Sequence, residues 1–146
     1  MRVPAWGLLC AVTAACAAPP PQALVAYRVD GDAILAPLSA SPADPLRGRD
    51  IIAGRDANCL LCHAVPETGQ RFMGNIAPPL SGIGARLSAA QLRLRIVDQS
   101  RLNPETVMPS YYKIDGLNRV AAAWRGKPVL SAGQIEDLVA YLQTLK

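Results

Sequence analysis

The clearest periodic pattern of apolar residues lies near the end of the chain. Ser131 and Gln134 have the spacing of a capping box, in which two side chains satisfy backbone N–H groups at the start of a helix. Glu136 and Asp137 are expected in the first turn, where the helix dipole favours negative charge. Apolar residues then repeat along one face: Ile135, Leu138, Val139, Leu142 and Leu145. The pattern predicts an amphipathic helix that packs against a core.

Two further helices are indicated by the residues at their starts. Asp44 can cap a helix that has Pro45 at its first position and continues over Leu46–Arg55. Ser88 and Gln91 repeat the capping box ahead of a second apolar stripe. Both segments are therefore expected to pack on the same core as the last helix.

A shorter helix is predicted over Asp115–Trp124, because its apolar residues share one face: Leu117, Val120, Ala121 and Trp124. Alternating apolar runs bounded by hairpin turns are absent from the sequence. The predicted fold is therefore all-α, with a small helical domain over residues 45–146.

The first 18 residues have the organisation of a secretory signal peptide. A positive charge at Arg2 precedes an apolar run over Gly7–Ala18, which is shorter than the roughly 18 residues that span a membrane. Cleavage by an ordinary signal peptidase and lipidation of Cys16 both stay open. No other segment is long and apolar enough to cross a membrane. The signal peptide therefore predicts a protein exported to the periplasm.

Residues 19–44 are predicted to form an extended N-terminal arm. Prolines recur in it, at Pro19–Pro21, Pro37 and Pro42, and proline fixes the backbone and lacks an N–H donor. The arm is expected to wrap over the domain or over a partner.

The charge of the chain is mildly positive. Fifteen Lys and Arg residues stand against 11 Asp and Glu, which gives a net charge of +4. No stripe of basic residues interleaves with aromatic ones, so the sequence does not indicate a nucleic-acid-binding protein.

The segment Cys59-Leu60-Leu61-Cys62-His63 is a C-x-x-C-H motif, the attachment signal for c-type haem. At this spacing the two thiols can each add to one vinyl group of the porphyrin, and the next imidazole can lie beneath the iron. A zinc site would need about four ligands, usually from two separated pairs, and a thioredoxin-like pair would need a βαβ context. The motif therefore predicts one covalent haem, bound through Cys59 and Cys62 and ligated by His63.

The identity of the sixth iron ligand depends on the histidine count. His63 is the only histidine, which leaves Met73, Met108, a lysine or no ligand. Met73 is close to His63 in sequence, whereas the distance to Met108 lets a loop and a helix pass around the porphyrin. Pro109 also ends any helix at Met108. We predict Met108 as the ligand, and a thioether that raises the reduction potential points to electron transfer.

Further residues resemble the class I cytochrome c family. Ala77–Gly82 is similar to that family's Gly-Pro-x-Leu-x-Gly stretch, with Ala77 in place of the usual glycine. The resemblance implies that the Pro78 carbonyl accepts a hydrogen bond from the ring of His63, which fixes its tautomer. It also implies that Arg86 pairs with a haem propionate. Gly48 resembles the position at which the first helix crosses the last.

A narrower resemblance is to the SoxX subfamily, the monohaem subunits of SoxAX complexes in bacterial sulfur oxidation. It covers residues 45–146, and its most specific block is Thr106-Val107-Met108-Pro109-Ser110-Tyr111-Tyr112. The resemblance implies a class I cytochrome c-like domain around one covalent haem c, in a heterodimer with a SoxA-type cytochrome subunit. That complex acts as an L-cysteine S-thiosulfotransferase, which joins thiosulfate oxidatively to a cysteine of the SoxYZ carrier protein.

Within such a complex the resemblance implies a non-catalytic electron relay. The chain would pass electrons to a small soluble cytochrome c. Tyr111, Tyr112 and Leu117 are expected close to the haem edge, either in the partner interface or as a cover that bonds the propionates. A freestanding electron shuttle stays open as the alternative, although Lys113, Lys127 and Lys146 are too few for a lysine ring. A ligand-binding haem sensor would require that Met108 leave the iron open.

Overall fold

The computed structural model describes residues 24–146, and its α-helices are α1 (Pro45–Ala53), α2 (Ile83–Arg86), α3 (Ala89–Asp98) and α4 (Ala132–Thr144). Single 3-10 turns lie at Cys59–Leu61, Pro66–Thr68, Gln99–Arg101 and Ala122–Trp124. Within the described part of the chain the only β pairing is an isolated bridge between Asp30 and Ala33. The all-α prediction is therefore confirmed. The predicted signal peptide, Cys16 and Pro19–Pro21 lie outside the described residues.

The helices begin where their caps predict. Asp44 accepts a hydrogen bond from the backbone N–H of Leu46 at 2.8 Å, with Pro45 in the first turn. Both predicted capping boxes form, at Ser88 and at Ser131. The first helix ends at Ala53, two residues earlier than predicted, because Gly54 has an extended backbone.

The first and last helices cross in close contact at Gly48. A Cβ atom at this position would collide with the carbonyl of Asp137 and would lie 2.8 Å from Cβ of Tyr141. Only glycine therefore allows the two backbones to approach this closely. Ile52, on the same side of α1, is 1% exposed, so the crossing forms one side of the core.

Glu136 and Asp137 lie in the second turn of α4, not in the first turn as predicted, because the helix begins at Ala132. Their carboxylates make ion pairs instead of facing the helix N-terminus. Glu136 bonds Arg93 of α3 at 2.7 Å, and Asp137 bonds Arg47 of α1 at 2.8 Å. These two side chains therefore tie α4 to both neighbouring helices.

Two of these charged side chains, Glu136 and Arg93, also bind the segment that precedes α1. The backbone N–H of Leu38 donates to Glu136 at 2.8 Å, and Arg93 donates to the carbonyl of Ile34 at 2.6 Å. Ile34 and Leu38 are themselves buried in the core. The segment before α1 is therefore anchored on α3 and α4 at Ile34 and Leu38, while much of the rest of it is exposed.

The helix predicted over Asp115–Trp124 does not form; only the last three residues make a 3-10 turn. Gly116 and Arg119 have φ values of +67° and +57°, in the left-handed region that interrupts an α-helix. Leu117 and Trp124 are 43% and 42% exposed. The apolar face that favoured a helix therefore has no core to pack against, and the backbone follows its turns.

Candidate functional site

The C-x-x-C-H motif folds into one tight turn. Asn58 has a left-handed backbone (φ 53°), and the 3-10 helix Cys59–Leu61 follows it directly. The backbone N–H groups of Cys62 and His63 both donate to the carbonyl of Cys59, at 3.2 and 3.0 Å. Because this turn closes over four residues, both thiols and the imidazole face the same cavity.

The segment 74–80 lies along the motif and positions its histidine. Backbone hydrogen bonds join Gly74 to Leu60 at 2.7 Å and Ala77 to Cys62 at 3.0 Å. A side chain at Gly74 would collide with the carbonyl of Leu61, so glycine is needed for this approach.

The approach brings the Pro78 carbonyl within 2.7 Å of Nδ1 of His63. This is the hydrogen bond that the resemblance implies. With Nδ1 donating to this carbonyl, the Nε2 lone pair of the ring is free to bind a metal.

A cavity of about 600 Å³ opens beside the imidazole, within the range of about 300–1,000 Å³ that is common for cofactor sites. Cys59, Cys62 and His63 line one part of it, and Met108 lines another. Much of the remaining wall is apolar, including Leu80, Leu92 and Ile96. The fold therefore gathers the sequence-predicted haem residues around one mostly apolar space.

The two candidate methionines have different environments. Met108 is half-buried and lines the cavity. Met73 is not among the residues that line it, and its sulfur accepts a hydrogen bond from the backbone of Val65 at 3.1 Å. The geometry therefore favours Met108 over Met73 as an iron ligand.

Arg86 also lines the cavity, as an exposed side chain at the end of α2. Its guanidinium donates to the carbonyls of Ser81 at 2.9 Å and Pro79 at 3.5 Å. These bonds hold a positive charge at the cavity edge, where it can pair with a carboxylate group of a ligand.

Tyr111 is buried against the motif instead of lying on a free surface. Its hydroxyl donates to the carbonyl of Ala57 at 2.8 Å, and the residue lines the cavity. Burial raises the pKa of the Tyr111 hydroxyl, and it raises the pKa of the neighbouring Cys59 thiol to about 11. Both groups are therefore protonated at neutral pH.

Tyr112 points away from the cavity into the N-terminal arm. It is 2% exposed, accepts a hydrogen bond from the backbone of Val25 at 2.8 Å and packs beside Tyr27. The expectation that Tyr112 belongs to a partner interface near the haem edge is therefore wrong, because the arm already covers it. Leu117, at 43% exposure, stays on the surface.

Gln99 is a cavity residue that sequence reasoning missed. It follows the last residue of α3 and lines the cavity, and its buried Oε1 has no hydrogen-bond partner among the described residues. A buried amide of this kind normally has a partner, so the cavity suits an occupant with polar groups as well as a large apolar surface. Nothing in the local sequence distinguishes Gln99 from a surface glutamine.

Other cofactor types find less support in residues 24–146. No group of three or more His, Cys, Asp or Glu side chains there could hold a metal ion. No helix in this range is long and apolar enough to cross a membrane. The cavity therefore suits a large, mostly apolar cofactor, with the imidazole of His63 and the thioether of Met108 in its wall.

Comparison with known proteins agrees with this geometry. The family model for cytochrome c matches residues 47–146. A chain in the crystal structure of SoxXA from P. pantotrophus is 37% identical and superposes with a TM-score of 0.76. The match covers 82% of this chain and 94% of that chain. No curated protein matches the sequence significantly.

Proposed function

Because the chain belongs to the cytochrome c family, we propose that it is the monohaem electron-transfer subunit of a SoxAX-type complex in sulfur oxidation. Family membership implies a covalently bound haem c, and the apolar cavity beside the C-x-x-C-H turn has the size and lining to hold it. When bound, the haem supplies a one-electron couple between ferric and ferrous iron.

Cys59 and Cys62 would hold the porphyrin through thioether bonds, and His63 would ligate the iron. The Pro78 carbonyl, 2.7 Å from Nδ1, can accept a hydrogen bond from that nitrogen, which would leave the Nε2 lone pair for the metal. An oriented, hydrogen-bonded imidazole is a better electron donor to a metal than a free one. The turn and the segment that lies along it thus act together as the proximal side of the site.

Met108 is the sixth ligand in this proposal. Its thioether favours ferrous iron, which raises the reduction potential relative to a second histidine. As an iron ligand it would also occupy the position that a small molecule needs, which favours electron transfer over ligand sensing. Arg86, which lines the cavity, would stabilise the negative charge of a haem propionate at the cavity edge.

The chain itself carries no sulfur-transfer chemistry in this scheme. Cys59 and Cys62 are the only cysteines in the described residues, and both are taken up by haem attachment. The bond between thiosulfate and a SoxYZ cysteine would therefore form on the SoxA-type partner. This chain would receive the electrons and pass them to a small soluble cytochrome c. An exported location in the periplasm agrees with the predicted signal peptide at residues 1–18.

One observation carries the proposal: a single cavity brings together both cysteines, the hydrogen-bonded His63 and Met108. The test is co-expression with a SoxA-type subunit under conditions that mature c-type haem. We expect mass spectrometry to find one haem on the peptide that contains residues 59–63, and size-exclusion chromatography to find a heterodimer. An unmodified peptide from mature protein would contradict haem attachment. A haem-bearing chain that elutes as a monomer beside its partner would be a freestanding shuttle.

A further inference from the structure

The methionine loop, residues 99–110, begins and ends on one carboxylate oxygen. Asp98, the last residue of α3, is 4% exposed. Its Oδ1 accepts hydrogen bonds from the Ser100 backbone at 3.2 Å and the Ser100 hydroxyl at 2.5 Å. The same oxygen accepts the Ser110 hydroxyl at 2.6 Å. One buried atom therefore joins the first residues of the loop to its last residue.

Met108 lies inside this closed loop, two residues before Ser110. Its backbone N–H donates to the hydroxyl of Thr106 at 3.1 Å, so the loop also has internal order. Beyond Ser110 the backbone N–H of Tyr111 bonds the carbonyl of Ile96 at 3.2 Å. The loop thus leaves α3 at its end and returns to the same helix, with Met108 near the point of return.

We infer that Asp98 is the positioning residue for Met108: it closes the loop so that the thioether stays on the iron. The inference rests on the proposed ligation by Met108. Asp98 is not among the residues that line the cavity, so it acts through Ser110 and the loop backbone and not by touching the haem.

The physical reason lies in the competition between a closed and an open loop. An open loop gains conformational entropy, and loops with few buried apolar contacts open at low free-energy cost. A buried carboxylate opposes this opening well, because hydrogen bonds to an ionised acceptor are stronger than those between neutral groups. Burial raises the pKa of Asp98, but the hydroxyls of Ser100 and Ser110 and the charge of Lys113 together lower it by more. The pKa of Asp98 is therefore below its ordinary value, and the group is ionised at neutral pH.

Removal of the Ser110 hydroxyl tests the closure with little risk to folding, since α3 and its cap are untouched. The measurement is a spectral titration of the ferric holoprotein with imidazole, which must displace the thioether to bind. We expect Ser110→Ala to bind imidazole about tenfold more tightly than wild type, as expected when one charge-assisted hydrogen bond is lost. Asp98→Asn should shift the affinity in the same direction, and both variants should weaken the long-wavelength absorption of ferric iron bound to thioether.

Two controls separate positioning from general loss of stability. Ser110→Thr keeps a hydroxyl and should keep the wild-type affinity for imidazole. Asp137→Asn removes a different buried carboxylate, one that bonds Arg47 and not the methionine loop, and should lower the unfolding temperature without changing the imidazole affinity.

The outcomes distinguish this inference from the proposed function. If wild type shows the thioether absorption but Ser110→Ala and Asp98→Asn bind imidazole as wild type does, Met108 is a ligand and the positioning role of Asp98 is overturned. If wild type lacks the absorption and Met108→Leu changes nothing, the ligand assignment fails and the inference fails with it. If Ser110→Ala and Asp98→Asn both bind imidazole more tightly and Ser110→Thr binds it as wild type does, the positioning role of Asp98 is established.

Discussion

Nδ1 of His63 lies 2.7 Å from the carbonyl oxygen of Pro78, fifteen residues later in the chain. The bond exists because the segment 74–80 follows the C-x-x-C-H turn in close backbone contact. It fixes which nitrogen of the ring can face the cavity, and it does so with a main-chain atom that no side-chain substitution removes. The orientation of the His63 ring is therefore built into the path of the backbone.

The fold is expected to depend on the haem. Three buried or half-buried residues, Leu80, Leu92 and Ile96, line the cavity and would face a void of about 600 Å³ in its absence. The net stability of a small domain is only about 5–15 kcal/mol, so the loss of this packing should exceed the margin. Replacement of Cys59 and Cys62 by Ala should abolish cooperative thermal unfolding, as followed by circular dichroism.

Leu61 supplies the matched control within the same motif, because it is 61% exposed. Leu61→Ala should keep the haem and change the free energy of unfolding by no more than about 0.5 kcal/mol. Cooperative, native-like unfolding in the double cysteine variant would mean that the core does not need the haem.

The two methionines should respond differently to substitution. Met108→Leu is expected to abolish the long-wavelength absorption of the ferric form and to lower the reduction potential, because a thioether ligand favours ferrous iron. Met73→Leu should leave both spectrum and potential unchanged, since the Met73 sulfur bonds Val65 outside the cavity. The opposite pattern in spectroelectrochemistry would move the ligand to Met73.

Gly48 and Gly133 should respond oppositely to alanine. A Cβ at Gly48 would collide with the Asp137 carbonyl on α4, whereas at Gly133 nothing lies within 4 Å of it. Gly48→Ala is expected to lower the free energy of unfolding by about 1–3 kcal/mol or more, as overpacking does. Gly133→Ala, within α4, should raise it by up to about 1 kcal/mol. Urea denaturation of the two variants decides this, and equal effects would contradict the described helix crossing.

Acid should weaken the contact between α1 and α4. Arg47 bonds both oxygens of Asp137, at 2.8 and 2.9 Å, and so lowers the pKa of Asp137. Such a carboxyl stabilises the folded state fully above its unfolded pKa of about 3.9, and the contribution is lost as pH falls through the folded pKa. The free energy of unfolding of Asp137→Asn, measured by urea denaturation, should therefore fall less steeply than that of wild type below about pH 4. Arg47→Gln should show the same flattening, and parallel curves would contradict the assignment.

Local sequence signals predicted the parts of the fold that depend on neighbouring residues. The caps at Asp44, Ser88 and Ser131 formed as predicted, since each needs only a side chain and a backbone N–H a few positions away. The prediction of a helix over Asp115–Trp124 was wrong, because the periodicity of apolar residues does not show whether the apolar face meets a core.

The contacts that order the methionine loop were equally hidden from the sequence. Asp98 and Ser110 are twelve residues apart and follow no motif, so their bond is visible only once α3 and the loop are placed in space. Gln99 and the ion pair of Arg93 with Glu136 are similar cases. The C-x-x-C-H motif, by contrast, carries its chemistry in consecutive residues and indicated the cofactor at once.

Docking to a SoxA-type subunit should involve the apolar rim of the cavity, which we define as Ile76 and Val107. Both line the cavity, and they are 71% and 82% exposed, so a partner that covers the haem edge would bury them. Truncation of apolar residues at the centre of an interface often costs about 2 kcal/mol or more. Ile76→Lys and Val107→Lys are therefore expected to weaken the heterodimer by at least about tenfold while the haem spectrum stays intact.

Leu46→Lys is the control, because Leu46 is equally exposed at 71% but lies on α1 and not among the cavity residues. Affinity can be measured by titration of the purified subunits. If the rim variants bind as tightly as wild type while Leu46→Lys binds weakly, the partner covers α1, and electrons must enter the haem from another side.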